Sequence, residues 1–554
     1  MFRRLDCRAG HYVLLLAVAA GLFLVNLGGP TLWDIDEGHN AEAAREMMVS
    51  GNWVVPTFNF ELRTDKPALL YWLQIGAYHL AGVGEFAARL PSALAALATV
   101  LLIYELGRRM FGAAAGLLAG LVYASTAMGC ASAHFANPDA LLTAFTTLTL
   151  LLFWSSFARP WRGWFVPAGV SAGLAVLAKG PVGLVLPAAV VGLFLLWSGR
   201  LRLLWDHRLA LGVLAFALTA LPWYAWVGND TKGEFLRGFF WNHNYGRYLS
   251  PMENHGGPVF YYALVLVAGF APWSAFFGLT GWYAVRGLRA PRLGAAVTPG
   301  SDRRAPFRFL WCWIVVYLVF FSLAGTKLPN YILPLYPAAA LLTADFLDRW
   351  RSGAIQPPAW AVKLSLAALG LLGVGAAAGL LIAGGVIRLE ALRGRSLPGL
   401  EWWALLGVLP ILAAALSWRL FHRQRRGAVI AVFAAAAVLF IGSLAAGGAS
   451  ALNRHKAPRP LVEAIQSHQR EPEIRIGCYR YYQPSLVFYG HRKVRCWDQE
   501  EEALEFLRCP LTVYLLVPAE VWESLQGKVE GPHRVIGRHR DLYRGCEVII
   551  VTNR

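Results

Sequence analysis

Apolar runs recur along most of this chain, and crossing about 30 Å of hydrocarbon takes about 20 apolar residues. The runs lie near 11 to 29, 86 to 107, 112 to 130, 138 to 157, 163 to 178, 181 to 198, 208 to 227, 259 to 284, 308 to 324, 331 to 347, 360 to 386, 402 to 419 and 427 to 447. Thirteen such runs leave no room for a water-soluble core as the main architecture of a 554-residue chain. The 57% hydrophobic content exceeds what such a core uses. A mean hydropathy of +0.46 points the same way. The expected fold is mainly α, a polytopic bundle of membrane helices.

The net charge of +18 does not mark a nucleic-acid binder, because the basic residues sit in short segments between apolar runs and not along one face or tail. Arg3 with Arg4, Arg108 with Arg109, Arg159 with Arg162, "GRLRLLWDHR", "RGLRAPRLGAAVTPGSDRRAPFR", "DRWR" and "WRLFHRQRR" fall on one side, which the positive-inside rule makes cytoplasmic. "RLEALRGRSLPGLE" is an exception on the other side. Counting "PALLYWLQIGAYHLAG", 67 to 82, as a span would invert every later loop, so it is expected to lie at the interface or to re-enter. The first run lacks a small-x-small cleavage site at its end and is expected to be a retained span.

Composition changes near residue 450. From 450 to 554 the sequence predicts a small α/β domain, with helices near 458 to 469 and 499 to 508 and strands near 473 to 479, 491 to 496, 511 to 517 and 545 to 551. Thirteen spans starting inside put this domain outside, where Cys478, Cys496, Cys509 and Cys546 can form one or two disulfides in any of several pairings. The cysteines lack CxxC spacing, which argues against a metal site there.

The same parity gathers the unusual polar stretches on the outer face: "TLWDIDEGHN" through "FELRTDKP", "SAHFANPD", "AKGP", the long loop "GNDTKGEFLRGFFWNHNYGRYLSPMENHGGP" and "GTKLPN". Ionisable groups at the bilayer centre cost about 2.5 to 3.5 kcal/mol each, so these charges should line a wet cavity or sit at the interface. Their order, with "DE", "AREM", "GNWVVP", "DKPALLYW", "ANPDALLTAF", "LAKGPVGL", "FFWNHNYGRYLS" and "GTKLPNYILP", resembles the bacterial aminoarabinose transferases of lipid A. These lie within the wider GT-C glycosyltransferases that include protein mannosyltransferases. The resemblance covers about residues 31 to 340 and, in architecture, the outer domain.

The resemblance implies sugar transfer from undecaprenyl phosphate to a lipid, protein or glycan acceptor, with inversion. It also implies juxtamembrane helices within the first outer loop (31 to 82), a membrane domain over 1 to 449, and a bacterial inner membrane with the site facing the periplasm. It matches Asp36 to the acceptor-side aspartate, and a carboxylate beside a span can serve there as base or orienting acceptor. Glu37 completes "DE" as a cap, a supporting partner or a metal ligand; Asp34 with Glu37 also fits a capping box. Asp139 matches a second acidic position, with a helix cap as the competing role. Lys66 and Arg247 match phosphate-binding cations, which would stabilise a departing carrier phosphate; snorkelling is the alternative for Lys66.

Lys179 and Lys327 are candidates for the carrier entrance or for interfacial anchors, with Tyr71 and Tyr331 beside the lysine motifs. Relatives commonly show glutamate then histidine before the arginine of the long loop, where this chain has His243 and Asn244, and His255 could supply the imidazole instead. A divalent metal is left open, with Asp65 and His255 as candidate ligands. A lipid or sugar transporter is the competing class, although related halves with broken helices, which many transporters show, are not visible in the sequence.

Overall fold

The computed structural model describes residues 8 to 158, 163 to 252, 255 to 289, 304 to 388 and 396 to 554. The arginine-bearing stretches 1 to 7, 159 to 162, 290 to 303 and 389 to 395 lie outside the described residues.

Every expected apolar run is helical. Among the described residues, seven helices are long and apolar enough to cross a membrane: Glu85–Met110, Asp139–Phe157, Leu209–Asp230, Ala305–Leu323, Ala359–Ala383, Glu401–His422 and Arg426–His455. Arg8–Phe23, Phe165–Lys179 and Val182–Trp197 are shorter apolar helices. The protein is a multi-pass membrane protein.

Two expected spans are corrected, because each is a bent pair of helices. Ala113–Ala124 and Ala127–Ala133 meet at 67°, where Ser125 closes the first helix and Thr126 caps the next by accepting from the Gly129 N–H at 3.1 Å. Tyr261–Gly269 and Trp273–Arg289 meet at 113°, and Pro272 between them has no N–H to continue a helix. The run at 331 to 347 is also divided, into the 3-10 turn Pro329–Leu335 and the helix Tyr336–Arg351.

The segment expected not to span is the 13-residue helix Leu69–Ala81, only about 20 Å long. It packs beneath Asp36–Ser50, a helix whose charged residues Glu37, Glu42, Arg45 and Glu46 are buried. Between the two runs a short hairpin, β1 (Thr57–Phe58) and β2 (Glu61–Leu62).

In the C-terminal region β3 (Ile474–Tyr479), β4 (Val494–Trp497), β5 (Thr512–Pro518), β6 (Arg534–Arg540) and β7 (Glu547–Thr552) form one sheet in the order β4-β3-β5-β7-β6. β3 pairs in parallel with β4 and β5, and β7 runs antiparallel to its neighbours. "TVYLLV" in β5 is buried on both faces, as a central strand with helices on either side must be. Four strands stand where the sequence predicts them; β6 and the helices Ser485–Gly490 and Ala519–Leu525 were not expected. The disulfide expectation is corrected: Cys478 and Cys496 are register partners across β3 and β4, yet these two, Cys509 and Cys546 are all unbonded thiols.

This sheet region grips the loop that follows the first apolar helix. The Asp34 carboxylate accepts from the Ser485 N–H at 2.8 Å and from the Ser485 hydroxyl at 2.5 Å, and the Asp34 N–H donates to the Tyr543 hydroxyl at 3.0 Å. Lys456 donates to the Thr31 carbonyl at 2.9 Å and lies 3.5 Å from the Trp33 ring centroid. Gly38 permits the approach: a Cβ there would stand 2.6 Å from the Ser485 backbone nitrogen. The capping-box reading of Asp34 is therefore replaced, since Ile35 occupies the N-cap position and Asp34 binds the sheet region.

Candidate active site

Five connections deliver the polar groups of the site. Asp65 and Lys66 lie between β2 and the helix Leu69–Ala81, Asp139 opens the helix Asp139–Ala158, and Lys179 closes Phe165–Lys179. Arg247 follows the π-type turns of Arg237–Gly246, and Tyr331 lies in the 3-10 turn Pro329–Leu335. At the end of the Lys179 helix the chain turns through Gly180 at φ +91°, where a Cβ would also stand 2.6 Å from the Phe239 ring. A lysine in a last helical turn is favoured by the helix dipole.

These groups surround a cavity of about 200 Å³. Asp65, Lys66, Lys179, His243, Arg247 and Tyr331 all border it, with Leu142, Val182, Val185, Phe320 and Phe321 as an apolar flank. The Nζ of Lys179 lies 4.6 Å from the Tyr331 ring centroid, and Arg247 donates to the Tyr331 hydroxyl at 3.3 Å. Asp65 bridges two bases, with Arg63 at 3.3 Å and the His243 Nδ1 at 3.2 Å.

The electrostatics follow from burial and crowding. Removal from water pulls the Lys66 ammonium below its ordinary range; Asp36 opposes this, and the like charges of Lys179 and Arg247 add to it. Burial works to raise Asp65, but Arg63 and then His243 and Lys66 outweigh it and hold the carboxyl at about 2. Burial also lowers His243, with Asp65 opposing and Arg247 assisting. The cavity thus presents a cluster of cations, with Asp65 kept ionised at its edge. That arrangement suits a phosphate with an apolar chain attached.

Asp36 is exposed and does not border the cavity, yet it is the strongest favourable charge acting on Lys66. Five expected residues have other work. Glu37, 0% exposed, forms a two-point ion pair with Arg89 at 2.7 and 2.9 Å and accepts from the N–H groups of Trp33 and Ala136. All its capacity is used in bracing the loop, so the catalytic assignment is replaced by a structural one. Asp139 is also buried and its oxygens hold Lys179 and Asn330, which makes it a positioning group and not a free acid. Tyr71 is fully buried and accepts from Arg63 at 3.1 Å without reaching the cavity.

Lys327 is buried and its ammonium donates to the Ala324 carbonyl. Its backbone N–H bonds the His255 carbonyl at 2.7 Å, while Gly325 and Thr326 bond the carbonyls of Tyr248 and Arg247. "GTKLPN" is therefore a strap that fixes the Arg247 segment, and Lys327 and His255 serve in it. Neither borders the cavity. Among the described residues no group of three or more His, Cys, Asp or Glu is placed to hold a metal ion. The sequence reading missed Arg63, Arg89 and Asn330; Arg63 was visible as a cation two residues before Asp65, but the other two are identified only by their partners.

The fold is that of the GT-C glycosyltransferases. The family described as dolichyl-phosphate-mannose-protein mannosyltransferase matches residues 65–226. Along its whole length the chain is similar to ArnT from Cupriavidus metallidurans, solved with undecaprenyl phosphate bound: 25% identity, 99% of each chain covered, TM-score 0.82. It is also 33% identical over 347 residues to the undecaprenyl phosphate-alpha-4-amino-4-deoxy-L-arabinose arabinosyl transferase of Pseudomonas aeruginosa (strain UCBPP-PA14), covering 61% of this chain and 60% of that one. An uncharacterized protein of Aquifex aeolicus (strain VF5) is 32% identical over 338 residues, 61% of this chain and 64% of that one. The sequence alignments thus span less than two thirds of these curated relatives.

Proposed function

We propose that this protein transfers a sugar from undecaprenyl phosphate to an outer-leaflet acceptor, with aminoarabinose and a lipid A phosphate as the first pair to test. The observation that carries this reading is the convergence of Lys66, Lys179 and Arg247 on one cavity with an apolar flank. The likeness to a transferase solved with undecaprenyl phosphate supports it. In the reaction the bond from the anomeric carbon to the carrier phosphate oxygen breaks and its electron pair leaves with the phosphate. The acceptor oxygen bonds the same carbon from the opposite face, inverting it. The cations meet charge that grows as the bond breaks, so they favour the transition state over the ground state.

Asp36 takes the proton from a hydroxyl acceptor. A phosphate acceptor, with a second pKa of about 6, is already an anion near neutral pH and needs Asp36 only for orientation. In this reading residues 1–449 form the membrane domain and 450–554 an outer domain in the periplasm of a bacterial inner-membrane enzyme. The bonds from Ser485 to Asp34 support a common side for the two.

The test is product formation by the purified full chain from a panel of undecaprenyl-phosphate sugars, with lipid A, glycan and peptide acceptors, read by mass spectrometry. Asp36→Asn should lose activity, more with hydroxyl than with phosphate acceptors. Equal product from both proteins removes Asp36 from the chemistry, product on peptide alone favours a protein acceptor, and no product from any pair favours transport.

A further inference from the structure

We infer that the end of the bundle opposite the cation cluster holds an anionic phospholipid. The helices Asp139–Ala158 and Phe165–Lys179 are joined at one end and meet through Asp139 and Lys179 at the other. A helix the length of the first, 20 residues, spans about 30 Å. The end carrying Phe157 and Phe165 therefore lies about a membrane's thickness from the candidate active site.

At that end is a second cavity of about 260 Å³. Phe157, Phe165 and Leu195 contribute to its apolar wall, and Arg200, Asp206 and Arg208 to its polar edge. Arg200 is half-buried with its guanidinium 5.3 Å from the Phe157 ring centroid. Arg208 stands 3.8 Å from Asp206. Among the described residues of the lining, two guanidiniums stand against one carboxylate, which leaves a surplus of positive charge.

The turn Leu201–Trp205 between these arginines buries none of its residues, and Trp205 is 88% exposed. Exposed leucines and a tryptophan in a short turn beside arginines belong at the membrane–water boundary. The cavity mouth then opens where lipid headgroups lie. Its apolar wall suits an acyl chain, and its guanidiniums suit the phosphate at the head of that chain. A free phosphate ion would leave the wall unfilled, and a zwitterionic lipid would leave the charge unbalanced.

The full chain in detergent, titrated by native mass spectrometry with phosphatidylglycerol, with phosphatidylcholine of the same chains and with inorganic phosphate, tests this. Phosphatidylglycerol should bind at least about fivefold more tightly than phosphatidylcholine. Arg200→Gln and Arg208→Gln should each erase most of that preference, and Arg202→Gln, on the same turn but outside the cavity, should keep it. Equal affinity for the two lipids, inorganic phosphate competing as well as phosphatidylglycerol, or an equal loss in Arg202→Gln would overturn the assignment. Because the lipid comparison is made on the native chain, it decides even if an arginine variant fails to fold.

Discussion

The ammonium of Lys179 and the phenol ring of Tyr331 stand 4.6 Å apart in a cation–π contact, while the hydroxyl of the same ring accepts from Arg247 at 3.3 Å. One side chain therefore sets the spacing of two cations. Tyr331→Phe keeps the ring and loses one hydrogen bond, and should lower kcat/KM for the donor only a few-fold. Tyr331→Ala removes both contacts, leaving Lys179 held by Asp139 alone on that side; with a cation–π contact worth up to about 2 kcal/mol, the loss should reach about 30-fold. Donor-dependence kinetics at saturating acceptor distinguish the two.

Breaking the pair of Glu37 and Arg89 should act on stability. Both side chains are almost fully buried, at 0% and 1% exposure. Glu37→Gln leaves a buried guanidinium without its counter-charge and should cost about 3–5 kcal/mol. Thermal unfolding in detergent should show the loss, with donor KM in the surviving folded fraction little changed. A normal midpoint with abolished turnover would return Glu37 to the chemistry.

Docking of the sheet region should depend on pH in two limbs. Burial raises Asp34 to about 7 against the bonds from Ser485. The native state therefore binds the extra proton between the ordinary carboxylate range and pH 7, and docking weakens as pH rises through that window. Burial lowers Lys456 to about 7, with Glu37 opposing; here the unfolded state binds the extra proton, so docking strengthens from about pH 7 towards the ordinary lysine range. Each limb is limited to about 1.4 kcal/mol per pH unit. Limited proteolysis across pH should find the contact weakest near neutrality. Asp34→Asn should remove the acidic limb and Lys456→Met the alkaline one, while Gly38→Ala should weaken docking at every pH.

Donor binding should fail at a lower pH than an exposed lysine would dictate. Lys66 is held below its ordinary range, mainly by burial, so it loses its proton and its hold on an anionic donor earlier as pH rises. Donor KM measured against pH should climb on the alkaline side, and Lys66→Arg should move that climb upward. A profile unchanged in Lys66→Arg would remove Lys66 from the phosphate site.

The apolar runs made the helical bundle legible, because hydrocarbon length is a one-dimensional constraint. They did not reveal the 67° and 113° bends, which depend on caps and prolines at particular positions. The resemblance singled out Lys66 and Arg247, with Lys179 and Tyr331 beside the lysine motifs, and the fold brings all four to one cavity. Division of labour was less legible: Glu37 sits next to Asp36 and Lys327 beside the "LPNYILP" motif, yet each is committed to a buried bond. Arg89 and Asn330 become meaningful only through partners 52 and 191 positions away.

The bond between Asp34 and Ser485 joins residues 451 positions apart, which orders events during synthesis. A ribosome adding about 5–20 residues per second makes the second residue roughly 20–90 s after the first. The segment bearing Asp36 must wait, unclasped, until the region bearing Ser485 has been translated. A nascent or truncated product that lacks Ser485 should consequently leave the loop before Asp36 without this clasp.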